Sequence, residues 1–247
     1  MSPRRVITVA TLSLFGFACF ASAQYGPIDD LKILKPEDKQ DAPSTPPPAG
    51  AIVLFSGKDL EQNWERRDGG KPEFELKEGG AMQVKGGDIV SKEKFNEPIH
   101  LHVEFRTPYM PGAAGQGRGN SGVYLQGRYE VQVLDSYGIP SEKLQENDCG
   151  SIYGIAVTKA VACKAPTVWQ SYDIDFTPPK FEGDKKVALG RITVVQNGIK
   201  IHDNQEITKD VTTSGMATDP KTHGPIMLQD HGNPVQFRNI WVMKKGK

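Results

Sequence analysis

From Ala51 onward the chain is a succession of short alternating or β-branched runs closed by Gly, Pro, Asn or Asp, and no stretch keeps a helical period for three turns. A chain patterned this way has no continuous helical stripe to bury. It removes apolar surface from water only by pairing strands and turning alternate side chains inward. Candidate strands are 51–55, 74–77, 81–84, 99–107, 121–126, 128–134, 169–177, 191–196, 199–203, 225–230 and 235–242. Between two of them stands Asn197-Gly198, a hairpin signal, because a two-residue turn needs positive φ at both positions. Many short strands with almost no helix predict an all-β fold, an antiparallel β-sandwich of jelly-roll type.

Parity then assigns faces. In HLHVEFR the apolar set is Leu101, Val103 and Phe105, which leaves His100, His102, Glu104 and Arg106 opposite. Val123 and Leu125 oppose Tyr124 and Gln126. Tyr129, Val131 and Val133 oppose Glu130 and Gln132. Ile226 and Leu228 oppose Met227 and Gln229. The polar face of these four segments carries no Lys, which a solvated sheet face usually does, and instead repeats amides, carboxylates, His, Arg and Tyr. Planar hydrogen-bonding groups with an aromatic recognise sugar hydroxyls, so this face reads either as the floor of a saccharide cleft or as plain wet sheet.

The composition, 37% hydrophobic and 24% charged, suits one globular domain with extra length at an end. Basic and acidic residues balance at 30 each, and nothing in the charge points to nucleic acid or an anionic membrane as partner. The N-terminus has the form of a secretory signal: Arg4 and Arg5, an apolar run from Val6 to Phe20, and Ala21-Ser22-Ala23 as a cleavage site. Residues 1–23 are therefore expected to be removed with Cys19, giving a secreted or periplasmic protein that begins at Gln24 and has no membrane span. Residues 24–50 hold six prolines and little apolar surface, which predicts a disordered Pro-rich linker, and 51–247 form the domain. In an oxidising compartment, Cys149 and Cys163 are expected to pair as a disulfide, which would stabilise a loop of about a dozen residues by something like 3 kcal/mol.

Seven blocks carry a resemblance: VLFSGKDLEQNWE, GDIVSKEKFNEPIHLHVEFRTP, NSGVYLQGRYEVQVLDSYG, DCGSIYGIAV, WQSYDIDF, VVQNGIKIHDNQEI and GPIMLQDHGNPVQFRNIWV. In this order they resemble the blocks of the 3-keto-disaccharide hydrolase domain family, over roughly 52–243. The resemblance implies a concanavalin-like jelly roll, an oligosaccharide or 3-keto-glycoside substrate, and a hydrolase- or lyase-type enzyme that cleaves the glycosidic bond. A fainter likeness lies in Glu130-Val-Gln132-Val-Leu-Asp135, which has the spacing of the E-x-D-x-x-E strand of laminarinase-type β-glucanases. Those retaining enzymes need two carboxylates about 5 Å apart, and here the central Asp is Gln132.

A ketone at C3 makes the C2 proton of the sugar acidic, so the glycosidic bond can be cleaved by proton abstraction, elimination and hydration. That chemistry needs a base near C2, donors for the enolate oxygen and an acid for the leaving group. Shared facing and the motif match make Glu130 or His102 the candidate base and Asp135 or His231 the candidate acid. Glu104, Arg106, Asn120, Tyr124, Gln126, Gln132, Gln229 and Arg238 are the candidate sugar or enolate binders. His100, His102 and Glu104 could chelate a divalent cation, although His-x-His falls short of a full ligand set; no other cofactor is indicated. Plainer roles compete. Glu104 and Arg106 could be a surface ion pair, Asp230 and Asn233 turn formers, and Trp64, Trp169 and Trp241 core. A non-catalytic carbohydrate-binding module is the alternative class, and a laminarinase-type glucanase the third.

Overall fold

Two antiparallel sheets close on one apolar core in the computed structural model, which describes residues 24–246. The expected leader lies outside the described residues. The larger sheet runs in the order β13 (Ile199–Ile207), β12 (Gly190–Gln196), β9 (Gln170–Thr177), β6 (Ile99–Arg106), β15 (Gln236–Lys244), β4 (Ala81–Gln83) and β3 (Glu75–Lys77), with β1 (Ile52–Phe55) also paired to β15. The smaller sheet runs β2 (Trp64–Arg66), β5 (Ile89–Phe95), β14 (Gly224–Leu228), β7 (Ser121–Leu125) and β8 (Tyr129–Val133). A separate hairpin joins β10 (Lys180–Glu182) to β11 (Lys185–Ala188). This is the antiparallel sandwich that the alternation predicts.

The core is the sum of the inward parities. Leu101, Val103 and Phe105 of β6 and Tyr172, Ile174 and Phe176 of β9 form one cluster with Val123, Leu125, Tyr129, Val131, Val133, Ile226 and Leu228 of the smaller sheet. Each such side chain contributes on the order of 1.5–3 kcal/mol by leaving water. Asn197 and Gly198 have φ of 51° and 81°, the backbone a tight hairpin requires. Strands β2, β5, β10 and β11 were not legible in the pattern. In β5 the alternation breaks because Ser91 is turned inward: its hydroxyl accepts Ile226 N–H at 2.9 Å and donates to Glu93 O at 2.6 Å, where the pairing with β14 shifts register.

Three expectations are corrected. First, the polar parities do not share one cleft. Two sheets packed by their apolar faces point their polar faces in opposite directions, so His102, Glu104, Arg106 and Arg238 on the larger sheet lie across the sandwich from Glu130 and Gln132 on the smaller one.

Second, residues 24–50 are not a disordered linker but a strap bound across the outer face of the larger sheet. Ala42 N–H reaches Trp169 O at 2.9 Å, and Asp41 Oδ1 accepts Trp169 N–H at 2.9 Å. Thr45 O accepts Trp241 Nε1–H at 3.0 Å, and the Tyr25 hydroxyl donates to Pro234 O at 2.6 Å. Ile28 packs with Tyr137, Ala165 and Val168. Backbone hydrogen bonds and aromatic contacts with the sheet supply what the segment's own apolar content does not. Arg106 lies 4.6 Å from the Tyr25 ring and 4.7 Å from Trp169, and Arg238 lies 4.1 Å from Trp169.

Third, Cys149 and Cys163 are free, buried thiols in mutual contact rather than a disulfide. Each has other partners: Cys149 Sγ meets the Tyr172 hydroxyl at 3.3 Å and Gln196 Nε2 at 3.4 Å, and Cys163 Sγ–H points to Lys164 O at 3.5 Å. Contact with Cys149 and burial push the Cys163 thiol well above its ordinary range. Among the described residues no helix is long and apolar enough to cross a membrane.

Candidate active site

The site begins with a strand pair. β7 and β8 align Tyr124 with Glu130 and Gly122 with Gln132, all on the face away from the core. Gln229, just beyond the end of β14, gives its backbone N–H to Gly122 O at 3.0 Å and its side-chain amide to the Tyr124 hydroxyl at 3.1 Å. β8 is the last strand of its sheet, and its free edge is covered by two loops. Thr212 takes Glu130 N–H on its hydroxyl at 3.1 Å, while Tyr153 N–H donates to Glu130 O at 3.1 Å and Gln132 N–H to Ser151 O at 3.0 Å. Arg67 pins the first loop by donating to Ser214 O at 2.9 Å and Gly215 O at 3.2 Å.

Floor and loops enclose a cavity of about 100 Å³ lined by Gln116, Asn120, Glu130, Gln132, Tyr153, Thr213, Ser214, Gln229 and His231. Glu130 is 2% exposed. Burial pushes its carboxyl up to about 8; the hydrogen bond from Tyr124 works against that shift and the nearby Asp88 carboxylate with it. Glu130 is thus a protonated acid at neutral pH. Asn120 Oδ1 and Gln132 Oε1 are buried without a donor in the protein, although both amide nitrogens are engaged. Asn120 Nδ2 donates to Gln116 O at 2.8 Å, and Gln132 Nε2 to Gln116 Oε1 at 3.1 Å and Asn147 O at 3.2 Å. Two acceptors so placed suit a ligand that brings hydroxyl donors. His231, on the exposed turn after β14, forms the outer rim.

Of the residues expected from sequence, Glu130, His231, Asn120, Gln132 and Gln229 are brought together here. Tyr124 is placed beneath them. Its ring is fully buried and its hydroxyl serves Glu130, Gln229 and Thr213 O, so it supports the floor rather than stacking on a sugar. Gln126 is not in the cavity: it sits at φ 53° in the β7–β8 turn, bonded to Phe95 O at 2.9 Å and Arg128 Nη1 at 3.0 Å. Asp135 does not line the cavity either. It follows the end of β8, where Arg118 Nε meets its carboxylate at 3.3 Å and Tyr137 N–H its Oδ1 at 3.2 Å. The carboxylate pair of a laminarinase-type site is therefore not assembled.

The remaining candidates form a second polar cluster under the strap. Glu104 is held by Arg238 Nε at 2.6 Å and Asn239 Nδ2 at 2.7 Å, with the Ser44 hydroxyl and His102 Nε2 completing its shell. Burial opposes ionisation of Glu104, and its bonds with His102, Ser44, Asn239 and Arg238 outweigh that and hold its carboxyl at about 2. Arg106 gives both Nε and Nη2 to Gln236 Oε1, at 2.9 and 2.7 Å. His100 Nδ1 is bonded to Asp175 and His102 Nδ1 to Asp173, each at 2.7 Å, and the His102 ring stacks on Trp241 at 5.1 Å. Among the described residues no group of three His, Cys, Asp or Glu side chains converges as a metal site, so the weak metal candidates His100, His102 and Glu104 are not assembled as a chelate.

Four lining residues escaped the sequence reading: Gln116, Tyr153, Thr213 and Ser214. Gln116 is in a single 3-10 turn, Gly115–Gly117, and the other three are on loops, where no period assigns a facing. The DCGSIYG block, which holds Tyr153, was visible as a segment, but not the cavity it walls.

The family model described as a 3-keto-alpha-glucoside-1,2-lyase-like domain matches residues 50–243. A solved structure of a candidate glycosyl hydrolase from Parabacteroides distasonis ATCC 8503 is 39% identical, covers 80% of this chain and 85% of its own, and superposes with a TM-score of 0.70. Two further candidate glycosyl hydrolases of that organism share the fold at 22% and 24% identity. Their TM-scores are 0.57 and 0.51, and the alignments cover 80% and 79% of this chain and 94% and 99% of theirs. No curated protein matches the sequence. From Gly50 to Met243, nearly all of the described structure, the chain belongs to the 3-keto-alpha-glucoside-1,2-lyase-like domain family.

Proposed function

We propose that the protein is an exported enzyme that cleaves the glycosidic bond of 3-keto-glycosides by elimination and hydration at the Glu130 cavity. One observation carries the reading: a buried carboxyl pushed up to about 8 faces the same cavity as two buried amide oxygens that lack donors. The family match and the identity to a candidate glycosyl hydrolase support a saccharide substrate.

In this reading Glu130, which keeps its proton, is the acid rather than the base expected from the sequence, and His231 on the rim is the base. His231 takes the proton from C2, and the electron pair moves into the C2–C3 enolate, whose oxygen takes hydrogen bonds from the hydroxyl groups that line the cavity. Return of that pair forms the C1–C2 double bond as the C1–O bond breaks, and the departing oxygen takes the Glu130 proton to leave as an alcohol. Water then adds across C1–C2, its hydroxyl to C1 and a proton to C2, giving the 3-keto sugar. Asn120 Oδ1 and Gln132 Oε1 accept sugar hydroxyls and fix the ring.

The test is incubation of the mature chain, and of Glu130→Gln, with a 3-keto-disaccharide and its unoxidised parent, followed by NMR. Release of free sugar from the oxidised substrate alone, lost in Glu130→Gln, is the expected result. Binding without turnover of either substrate would make the protein a carbohydrate-binding module.

A further inference from the structure

The Glu130 cavity, at about 100 Å³, is smaller than the roughly 300 Å³ at which small-molecule sites begin, so it encloses only the reacting part of a glycoside. A second hollow of about 490 Å³ opens beside it, lined by Gln145, Glu146, Asn147, Tyr153, Gly154 and Val157. The two adjoin: Tyr153 lines both, and Asn147, which lines the second, accepts on its carbonyl from Gln116 Nε2 at 2.9 Å and from Gln132 Nε2 at 3.2 Å, both residues of the first. On the other side the Arg67-pinned loop intervenes, and the hollow at Arg67 and Asp88 shares no lining residue with the cavity. A substituent that extends from the cavity on the Tyr153 side meets Tyr153, the side-chain-free Gly154 and Val157, an aliphatic residue left 37% exposed.

We propose that this hollow is the aglycone subsite, and that it takes a leaving group with an apolar face, an aryl ring or the ring face of a second sugar, against Tyr153 and Val157. The proposal rests on the reading of the Glu130 cavity as the cleavage site. Val157 does not touch that cavity, so it tests the subsite alone.

The experiment compares phenyl and methyl 3-keto-glucosides with the full mature chain and its Val157→Glu and Val157→Trp variants. Val157→Glu is expected to raise KM for the phenyl substrate about tenfold while the methyl substrate changes less than about twofold; Val157→Trp should lower KM for the phenyl substrate. Equal responses of both substrates to both variants would overturn the subsite and leave the cleavage reading standing. Should the wild-type chain turn over neither substrate, the cleavage reading fails, and saturation-transfer NMR with unoxidised phenyl glucoside decides the subsite. Saturation of the phenyl protons by wild type but not by Val157→Glu supports it, and equal or absent saturation refutes it.

Discussion

A Cβ on Gly122 would lie 2.4 Å from Glu130 Oε1 and 2.8 Å from the Tyr124 ring. The carboxyl rests directly on the backbone of the neighbouring strand, in space that only glycine leaves open. Gly122→Ala should therefore displace the acid while the sandwich stays folded. Turnover is expected to fall by about a hundredfold or more, in line with loss of a positioned proton donor, with a far-ultraviolet circular dichroism spectrum like that of wild type. Unchanged turnover would remove Glu130 from the mechanism.

The Glu130 carboxyl, pushed up to about 8, makes both activity and stability depend on pH. As an acid it works protonated, so kcat should decline as pH rises through about 8. For stability, the folded state holds its proton between the ordinary carboxylate range and about 8 while the unfolded state has lost it. That contribution is full below the unfolded value and vanishes as pH rises through the folded one, a loss on the order of 5 kcal/mol. Glu130→Gln should flatten this decline, and urea melts at pH 5 and pH 9 measure it.

Glu104 is the anchor of the second cluster, and its carboxyl, held at about 2 by its four partners, stabilises the fold above the ordinary carboxylate range and loses that contribution as pH falls towards 2. Glu104→Ala leaves Arg238 half-buried without its partner and frees Ser44 of the strap. A loss of about 3 kcal/mol is expected, read by chemical denaturation. Turnover should persist, because the cluster lies on the sheet opposite the cavity.

Removing residues 24–50 uncovers Trp169 and Trp241, which are 5% and 4% exposed. The truncated protein is expected to show red-shifted tryptophan fluorescence and a Tm lower by several degrees, about what a loss of a few kcal/mol produces in a domain of this size. An unchanged emission maximum would mean that the segment does not cover the sheet in solution.

Much of the fold was legible because a strand's period of two is strict. Leu101, Val103 and Phe105 could face only one way, and the side chains opposite them only the other. Periodicity, however, assigns a face without saying which sheet the strand joins. Glu104 and Glu130 carry the same local signature, and only the strand order separates the one pinned under a strap from the one walled by loops. Segment 24–50 misled for a related reason: proline-rich chain fails to form its own core, yet its carbonyls and Tyr25 bind well to a surface already built. Tyr153 and Thr213 belong to loops whose placement depends on hydrogen bonds to β8 and its neighbouring turn, which no local pattern encodes.

The cavity is made of two kinds of chain. Its floor is strand, locked by pairing to the rest of the sandwich, and its walls are loops, the one at Ser151 and Tyr153 tied to the edge of β8 through backbone groups and the one at Thr212 to Gly215 through the Thr212 hydroxyl and Arg67. Reaction chemistry and substrate range are thereby separately mutable. A randomised library at Gln145, Glu146 and Val157 could retarget the protein to new glycosides while Glu130, Gly122 and Tyr124 stay fixed, which makes this fold a starting scaffold for directed evolution.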